Sequence, residues 1–378
     1  MFRKIIFWSH LTVGVVCGLV ILMMSVTGVL LTYERQILAS AESAMHHEPT
    51  SPDAAQPLTT AELLAELRRT EPDFRATSVT LDADPYAPAV VSAGRSGRRF
   101  VDRYTGTVLP DSAAGTRAFF STITGWHRWF DVEGDKRATA RAITGASNLA
   151  FFFILFSGIY LWLPPVFNKV AFRTRWGFNP RVSTAKARDY NWHHVFGIWS
   201  VVPLIIVVAT ALVFSYGWAN NLLYRAVGDT PPVRGAAREA AGPAGSPIEY
   251  RPADDYFAAA AAAATPGWQS ISLSLPGKTD ATVRVAADYG NGGQPQRRTT
   301  LALDAVSAEL HSTESFDDLP AGRQARSLVR FLHTGEALGV VGQTIAGLVS
   351  LTSILMVWTG LALAWRRLIS PLLRRRRA

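Results

Sequence analysis

Four histidines stand at the ends of long apolar stretches in this chain, and their surroundings repeat. His10 opens the first stretch, and His193, within Asn191–Ser200 (NWHHVFGIWS), opens the third. Each is followed four residues later by a glycine (Gly14, Gly197) and seventeen residues later by a threonine (Thr27, Thr210). His127, in GWHRWF, precedes the second stretch, and His333, in FLHTGEALG, precedes the fourth. A single histidine near a helix end is often an interfacial residue that snorkels to water or bonds a terminal carbonyl. Four in repeated positions beside membrane-sized apolar runs ask for one common chemistry, because ionisable groups there are costly and usually functional.

Ligand chemistry narrows the choice. Structural zinc wants thiolates or carboxylates beside the imidazoles, and the apolar runs hold one thiol, Cys17, and no carboxylate. A proton relay would also want Asp or Glu within those runs. Haem b needs only axial imidazoles and an apolar slot, with small residues where the macrocycle meets backbone. Gly14, Gly18, Gly28, Gly145, Gly158, Gly197, Gly347 and Gly360 offer such room, although close helix packing uses small residues equally. No CxxCH occurs, which excludes covalent c-type attachment. The candidate axial ligands are therefore His10, His193, His127 and His333, serving two haem b per chain. His194 is the alternative to His193, since adjacent helical positions point about 100° apart and one alone can face a given ligand. The match to Thr210 favours His193. His46, His47 and His311 fall outside the pattern and read as surface residues, and no residue is assigned a catalytic role of its own.

The elements that must position these histidines are membrane spans. Among 378 residues, 48% are hydrophobic, and four segments free of Asp, Glu, Lys and Arg run over 5–33, 142–168, 190–224 and 337–365. Each exceeds the roughly 20 residues that cross a bilayer. The first is too long for the roughly 7–15-residue core of a signal peptide, despite Ala39-Ser40-Ala41, and reads as a retained span. The net charge of +9 sits largely beside the apolar runs, where it sets orientation and does not suggest nucleic acid. One cysteine leaves no disulfide framework. Residues 169–188 carry Lys169, Arg173, Arg175, Arg181, Lys186 and Arg188 without an acid, and the chain ends in LLRRRRA. Both regions are expected on the cytoplasmic side with both termini.

The expected fold class is an α-helical membrane protein with four transmembrane helices and two small α+β extracytoplasmic domains. Its parts are a first span (1–33), an α+β domain (34–137), a second span (138–168), a basic loop (169–189), a third span (190–224), a second α+β domain (225–336), a fourth span (337–366) and a basic tail (367–378). In the first domain Thr59–Arg69 reads as a helix with a capping box, followed by strands near 77–81, 89–92 and 99–109. The second domain repeats the order, with a helix at about 253–264 and strands near 268–275, 281–287 and 297–303. Asp102 and Asp304, Gly145 and Gly347, and Ser157-Gly158 and Thr359-Gly360 share an offset of 202, which implies two copies of one span–domain–span unit. His127 and His333 are 206 apart, so the first copy holds four extra residues after its histidine. Residues 226–252, rich in Pro, Gly and Ala, read as an insertion.

At these residues the chain resembles the PepSY-associated transmembrane family, iron-regulated inner-membrane proteins that include ferric-siderophore reductases. SHLTVGVV with VTGVL (10–30), WHRW (126–129), NWHHVFGIW (191–199) and FLHTGEALGVVG (331–342) carry the resemblance, and VDRYTGTVL (101–109) is similar to the PepSY domain. It implies two span–PepSY–span repeats with periplasmic PepSY-like domains, bound haem, and reduction of a ferric siderophore outside to release Fe(II). His194 departs from the family pattern, standing where a basic residue such as arginine is expected, and Val306-Ser307-Ala308 replaces Tyr-Thr-Gly in the second copy. No GxGxxG or flavin-like region is present, so electrons must come from a cytoplasmic protein or a membrane quinol. Trp126, Arg128 and Trp129, with Arg326 and Arg330, could form an aromatic and basic rim for an anionic chelate, or only an interface belt. Two other functions compete. PepSY copies that restrain a protease or sense a ligand would leave the protein colourless. Transport of haem or siderophore would want a polar pathway, which the charge-free spans oppose.

Overall fold

Uninterrupted apolar sequence winds into long helices here, and alternating sequence pairs into strands. The computed structural model describes residues 1–46, 56–94, 97–164, 168–232 and 248–375. His47, most of the Pro/Gly/Ala-rich insertion and the last three residues of the basic tail lie outside the described residues. In chain order the helices are α1 (Phe2–Leu30), α2 (Glu34–Glu42), α3 (Thr60–Thr70), α4 (Ala114–Trp129), α5 (Lys136–Trp162), α6 (Lys169–Trp176), α7 (Ala185–Ser215), α8 (Gly217–Ala226), α9 (Ala253–Ala263), α10 (Ala321–His333), α11 (Gly339–Leu368) and α12 (Ser370–Arg375). The strands are β1 (Ser78–Asp82), β2 (Ala89–Ser92), β3 (Arg98–Val101), β4 (Val108–Leu109), β5 (Ser270–Ser274), β6 (Thr282–Asp288), β7 (Arg298–Asp304) and β8 (Leu310–Glu314). A helical unit holds Met1–Glu34, Ala118–Ala226 and Leu328–Ala378, and a sheet unit holds Arg35–Arg117 and Val227–Ser327.

In the helical unit α1, α5, α7 and α11 are long and apolar enough to cross a membrane. Helix α1 packs on α5 and α11, and α7 packs on the same two, so α1 and α7 stand diagonally opposite. Ile21, Phe151, Leu155, Leu204, Val208 and Val349 fill the centre. Two polar ties cross that centre: Ser25 Oγ donates to Ser353 Oγ at 3.0 Å, and Asn148 Nδ2 donates to Val208 O at 3.1 Å. Large apolar side chains such as Val16, Leu19, Val202 and Trp358 point outward, as lipid contact requires.

Two helix ends differ from the charge-free segments, because lipid tolerance and helix capping are set by different residues. Helix α5 stops at Trp162, since Leu163 precedes a proline and adopts an extended conformation (φ −59°, ψ 128°). Helix α7 starts five residues before the apolar run, where Thr184 Oγ1 accepts from Ala187 N at 3.2 Å as an N-cap. It ends at Ser215, where Tyr216 turns extended (φ −131°, ψ 126°), and α8 takes up the rest of the apolar sequence. The early start corrects the expectation that the spans hold no carboxylate. Asp189 lies within α7, 1% exposed, between Arg188 Nη2 at 2.9 Å and Arg366 Nη1 at 2.6 Å.

The sheet unit begins with the expected capping box. Thr59 Oγ1 accepts from Glu62 N at 3.2 Å, and Glu62 Oε2 accepts from Thr59 N at 2.8 Å. In place of two separate small sheets, both halves of the chain build one antiparallel sheet in the order β4-β3-β2-β1-β5-β6-β7-β8. Strands β1 and β5 join the halves in the register Ser78↔Ser274 to Asp82↔Ser270, and Thr80 Oγ1 donates to Ser272 Oγ at 2.9 Å. Each would otherwise be an open edge, and pairing them removes both. Leu63, Leu64 and Leu67 of α3 and Tyr256, Phe257 and Ala260 of α9 share a core with Val79, Val91, Leu273, Val285 and Leu301 from the strands. Aspartate-headed turns recur in the two halves. Asp102 Oδ1 accepts from Tyr104 N and Thr105 N, both at 2.8 Å. Asp304 Oδ1 accepts from Val306 N and Ser307 N, both at 2.9 Å. His46, bonded to Asp84 Oδ2 at 2.9 Å, and His311, on exposed β8, belong to this unit.

Candidate functional site

The helical unit gathers the four histidines into two sets at opposite ends of α1 and α7. At one end His10 of α1 places Nδ1 2.8 Å from Ser157 Oγ on α5. On the diagonal helix, His193 of α7 places Nδ1 3.1 Å from Thr359 Oγ1 and 3.2 Å from Met356 O, both on α11. At the other end His127 of α4 places Nδ1 2.9 Å from Thr27 Oγ1 on α1. His333 of α10 places Nδ1 3.3 Å from Thr210 Oγ1 and 2.8 Å from Val207 O, both on α7. Thr27 thus serves His127 and not His10, whose spacing first drew notice. The seventeen residues between His10 and Thr27, at about 1.5 Å each, separate the two ends by about 25 Å.

These bonds fix which ring nitrogen is free. A serine or threonine hydroxyl has one proton and two acceptor lone pairs. All four hydroxyls direct that proton back along their own helix. Ser157 Oγ lies 2.8 Å from Phe153 O, Thr359 Oγ1 2.8 Å from Leu355 O, Thr27 Oγ1 2.7 Å from Met23 O, and Thr210 Oγ1 2.7 Å from Ile206 O. With that proton so placed the hydroxyls accept from the imidazoles, and the carbonyls of Met356 and Val207 can only accept. His193 and His333 face a backbone carbonyl with Nδ1, so Nδ1 carries the hydrogen and Nε2 the lone pair; the same tautomer suits His10 and His127, and it is the form in which a neutral imidazole binds a metal. Among the described residues, no group of three or more His, Cys, Asp and Glu side chains is placed to hold a bare metal ion. The available donors come as imidazoles alone.

At the His127/His333 end the two ring centres lie 6.2 Å apart at 64°. The other end is open. A cavity of about 1120 Å³ lies among α1, α5, α7 and α11, and His10, His193 and His194 all line it. That exceeds the roughly 300–1,000 Å³ of ordinary small-molecule sites. Gly14, Gly18, Gly158, Gly197 and Gly360 line it too. Gly158 and Gly360 are the close approaches: a Cβ there would stand 3.5 Å from His10 Cε1 and 3.3 Å from His193 Cε1. By contrast Gly347 accommodates Thr32 and Gly145 faces Ser215 and Tyr216, which is plain helix packing. Several basic side chains at this end are committed as helix clamps: Arg3 Nη2 donates to Leu161 O and Leu163 O, both at 2.8 Å, and Arg175 bonds Trp162 O.

His194 differs from His193 in what holds it. Its Nδ1 donates to Tyr190 O at 2.8 Å, one turn back on its own helix, and its ring leans on Tyr190 with centres 4.1 Å apart. His193 is tied to a neighbouring span. Sequence spacing alone assigned no role to Ser157, Thr359, Thr27 and Thr210. The signal was present as a hydroxyl before glycine at 157 and 359, and as a threonine at a fixed distance in α1 and α7.

No curated protein matches this sequence. The family model for the PepSY-associated TM region matches residues 7–367, nearly the whole chain, and the protein belongs to that family of multi-pass membrane proteins.

Proposed function

We propose that the helical unit binds two haem b, one between His10 and His193 and one between His127 and His333, and that the protein passes electrons through the membrane to a ferric siderophore. The carrying observation is that all four imidazoles are held through Nδ1 by a hydroxyl of a neighbouring span, in two opposed sets with no carboxylate among their hydrogen-bond partners. The residues fit the group. His127 and His333 bring two imidazoles together, with ring centres 6.2 Å apart, and would hold the group between them. The cavity at His10 and His193 has an apolar wall and glycine at both imidazole edges. Bound there, haem supplies one-electron redox chemistry.

The chain's own part is to hold, orient and insulate. Ser157, Thr359, Thr27 and Thr210 hold the Nδ1 protons and so aim each Nε2. The packed centre around Ile21, Leu155 and Leu204 keeps water out between the ends. Lys169, Arg173, Arg175 and Arg181 put positive charge at the His10/His193 end, which supports a cytoplasmic location for it under the positive-inside rule, in a bacterial inner membrane with both termini inside. Electrons then enter from a cytoplasmic protein or a quinol and leave at His127 and His333 on the periplasmic face. The two-copy organisation accounts for the matched contacts: hydroxyl to imidazole at 157 and 359, and again at 27 and 210.

An absorption spectrum and pyridine haemochrome assay of the purified chain test this. About two b-type haems per chain are expected. A colourless protein from haem-replete cells overturns it and favours a binding or regulatory membrane protein.

A further inference from the structure

The surroundings of the His127/His333 pair are lopsided. His333 is flanked by Leu332, Thr334 and Gly335, whereas His127 is followed by Arg128 and Trp129. The Trp129 ring collects three guanidiniums: Cζ of Arg137, Arg128 and Arg141 lie 3.9, 5.0 and 5.7 Å from its centroid. One such cation–π contact occurs about once per 70–80 residues and needs no explanation. Three on one indole oppose their own Coulomb repulsion, and the charges of Arg141, Arg137 and Arg330 all bear on Arg128. All four arginines are exposed, and none is ion-paired with a carboxylate among the described residues. Acids are close in sequence, at Asp131, Glu133 and Asp135, yet Asp131 folds back against Gly125, where a side chain would collide with it.

The same turn holds the extra length of the first half. From the histidine to the glycine matched at the 202-residue offset the chain runs eighteen residues in one half (127 to 145) and fourteen in the other (333 to 347). Within it Phe130 and Asp131 take φ of 55° and 54°, a left-handed conformation uncommon outside glycine, asparagine and aspartate and unusual for phenylalanine. Two such residues in succession persist only where the surroundings hold them, and such strain concentrates at functional sites. A membrane-interface belt explains tryptophan and arginine separately. It does not explain three guanidiniums on one indole, present beside one histidine of a pair and absent beside the other.

We propose that Trp129, Arg128, Arg137 and Arg141, joined by Arg330, form a seat for an anionic ferric chelate, one with free carboxylate or catecholate oxygens. Guanidiniums recognise such oxyanions by paired hydrogen bonds, and the Trp129 ring holds three of them together. The seat rests on the reading that electrons leave at His127 and His333. Haem held by His127 and His333 would supply the one electron that takes Fe(III) to Fe(II), while the arginines hold the chelate and exchange no bond or proton with it. Anionic lipid headgroups offer the same oxyanion chemistry, so the test must separate the two sources.

The experiment uses the full chain in nanodiscs of phosphatidylcholine, with and without phosphatidylglycerol. Binding of gallium(III) citrate, a redox-inert anionic chelate, is measured by equilibrium dialysis. Wild type binds in both lipids, and Arg137→Gln/Arg141→Gln binds at least about tenfold more weakly, as expected when charged partners of an oxyanion are removed. Arg137→Lys/Arg141→Lys keeps the charge and recovers part of the loss, which separates lost charge from lost fold. Arg68→Gln/Arg75→Gln, which removes two charges from the sheet unit, binds like wild type. With haem-loaded protein reduced in advance, the half-saturating concentration of ferric citrate for haem reoxidation rises by the same factor in the Gln variant. Equal gallium citrate binding by wild type and that variant overturns the seat. So does a variant that loses only its retention of phosphatidylglycerol, which assigns the arginines to lipid. Should the protein prove colourless, the electron-transfer reading fails, but dialysis still decides the seat: binding that the Gln variant loses supports it, and absence of binding by wild type overturns it.

Discussion

Asp189 Oδ2 accepts a hydrogen bond from Arg366 Nη1 at 2.6 Å, joining α7 to α11 one turn before His193 meets Thr359. The carboxylate is 1% exposed, so its neighbours and not water must balance its charge. Asp189→Ala leaves Arg366 without a counter-ion and should cost about 3 kcal/mol, the low end for breaking a buried pair because the arginine is partly exposed. Asp189→Leu/Arg366→Leu should recover most of that loss. Thermal melting of the intact protein checks both, and an Asp189→Ala variant that melts like wild type would mean the pair contributes nothing.

Under the proposed haem reading, His193→Ala should empty the site between His10 and His193, while His194→Ala should largely keep it. Both side chains line the cavity, and both donate Nδ1–H to a carbonyl. Only His193 is bonded to another span and stands against Gly360. Haem stoichiometry in the two variants decides, and the reverse result would assign the ligand to His194 with His193 as a structural tie between α7 and α11.

Thr27→Val keeps the shape of the threonine and removes the hydroxyl at His127 Nδ1, leaving the ring its backbone partner Met24. An acceptor at that nitrogen raises the basicity of the ligand, and loss of such a partner commonly weakens a metal site about 10–100-fold. The haem proposed at His127 and His333 should therefore bind more weakly and titrate at a higher midpoint potential, while Thr27→Ser stays close to wild type. Redox titration with spectral separation of the two haems measures it. An unchanged potential in Thr27→Val would show that the hydroxyl does not govern the ring.

Much of this arrangement could be read from the residue pattern, and its failures have physical causes. Length and hydropathy marked the four spans because lipid imposes both. Capping residues, which hydropathy ignores, moved their ends, and that is how Asp189 came inside α7. The Thr59 capping box was legible because its spacing is local. The pairing of β1 with β5 was not, since nothing in either strand names a partner almost two hundred residues away. Thr27 and Thr210 drew attention through their distance from the wrong histidines, because spacing along one helix says nothing about which neighbouring helix approaches it.

Ala308 replaces the glycine of the first half's turn and keeps its geometry, with φ of 62° against 74° for Gly106. The left-handed region costs a residue with a Cβ about 1–2 kcal/mol, and glycine gives back about 0.4–1 kcal/mol through its freer unfolded chain. Ala308→Gly should stabilise the β7–β8 hairpin by the difference, about 0.5–1 kcal/mol. Gly106→Ala should do the opposite and more strongly, since its Cβ would also press on Glu66 Cγ and Leu58 Cδ1, both at 3.2 Å. Hydrogen-exchange protection of the β7–β8 and β3–β4 amides reports each change, and slower opening in Gly106→Ala would contradict it.

The last prediction concerns direction. If electrons enter at His10 and His193 and leave at His127 and His333, the two sites act in series over about 25 Å of helix, and neither can replace the other. His127→Ala or His333→Ala should leave the cytoplasmic haem bound and reducible, because its ligands and their hydroxyl partners Ser157 and Thr359 lie at the far end of the bundle. The same variants should abolish, and not merely slow, Fe(II) release from a ferric siderophore outside. Oriented vesicles with ferrozine trapped on the periplasmic side distinguish the two readouts in one sample. Fe(II) production at the wild-type rate by a variant that has lost the periplasmic haem would reject the relay. Failure of the wild type on every ferric chelate, with both haems present and reduced, would keep the relay and replace its acceptor.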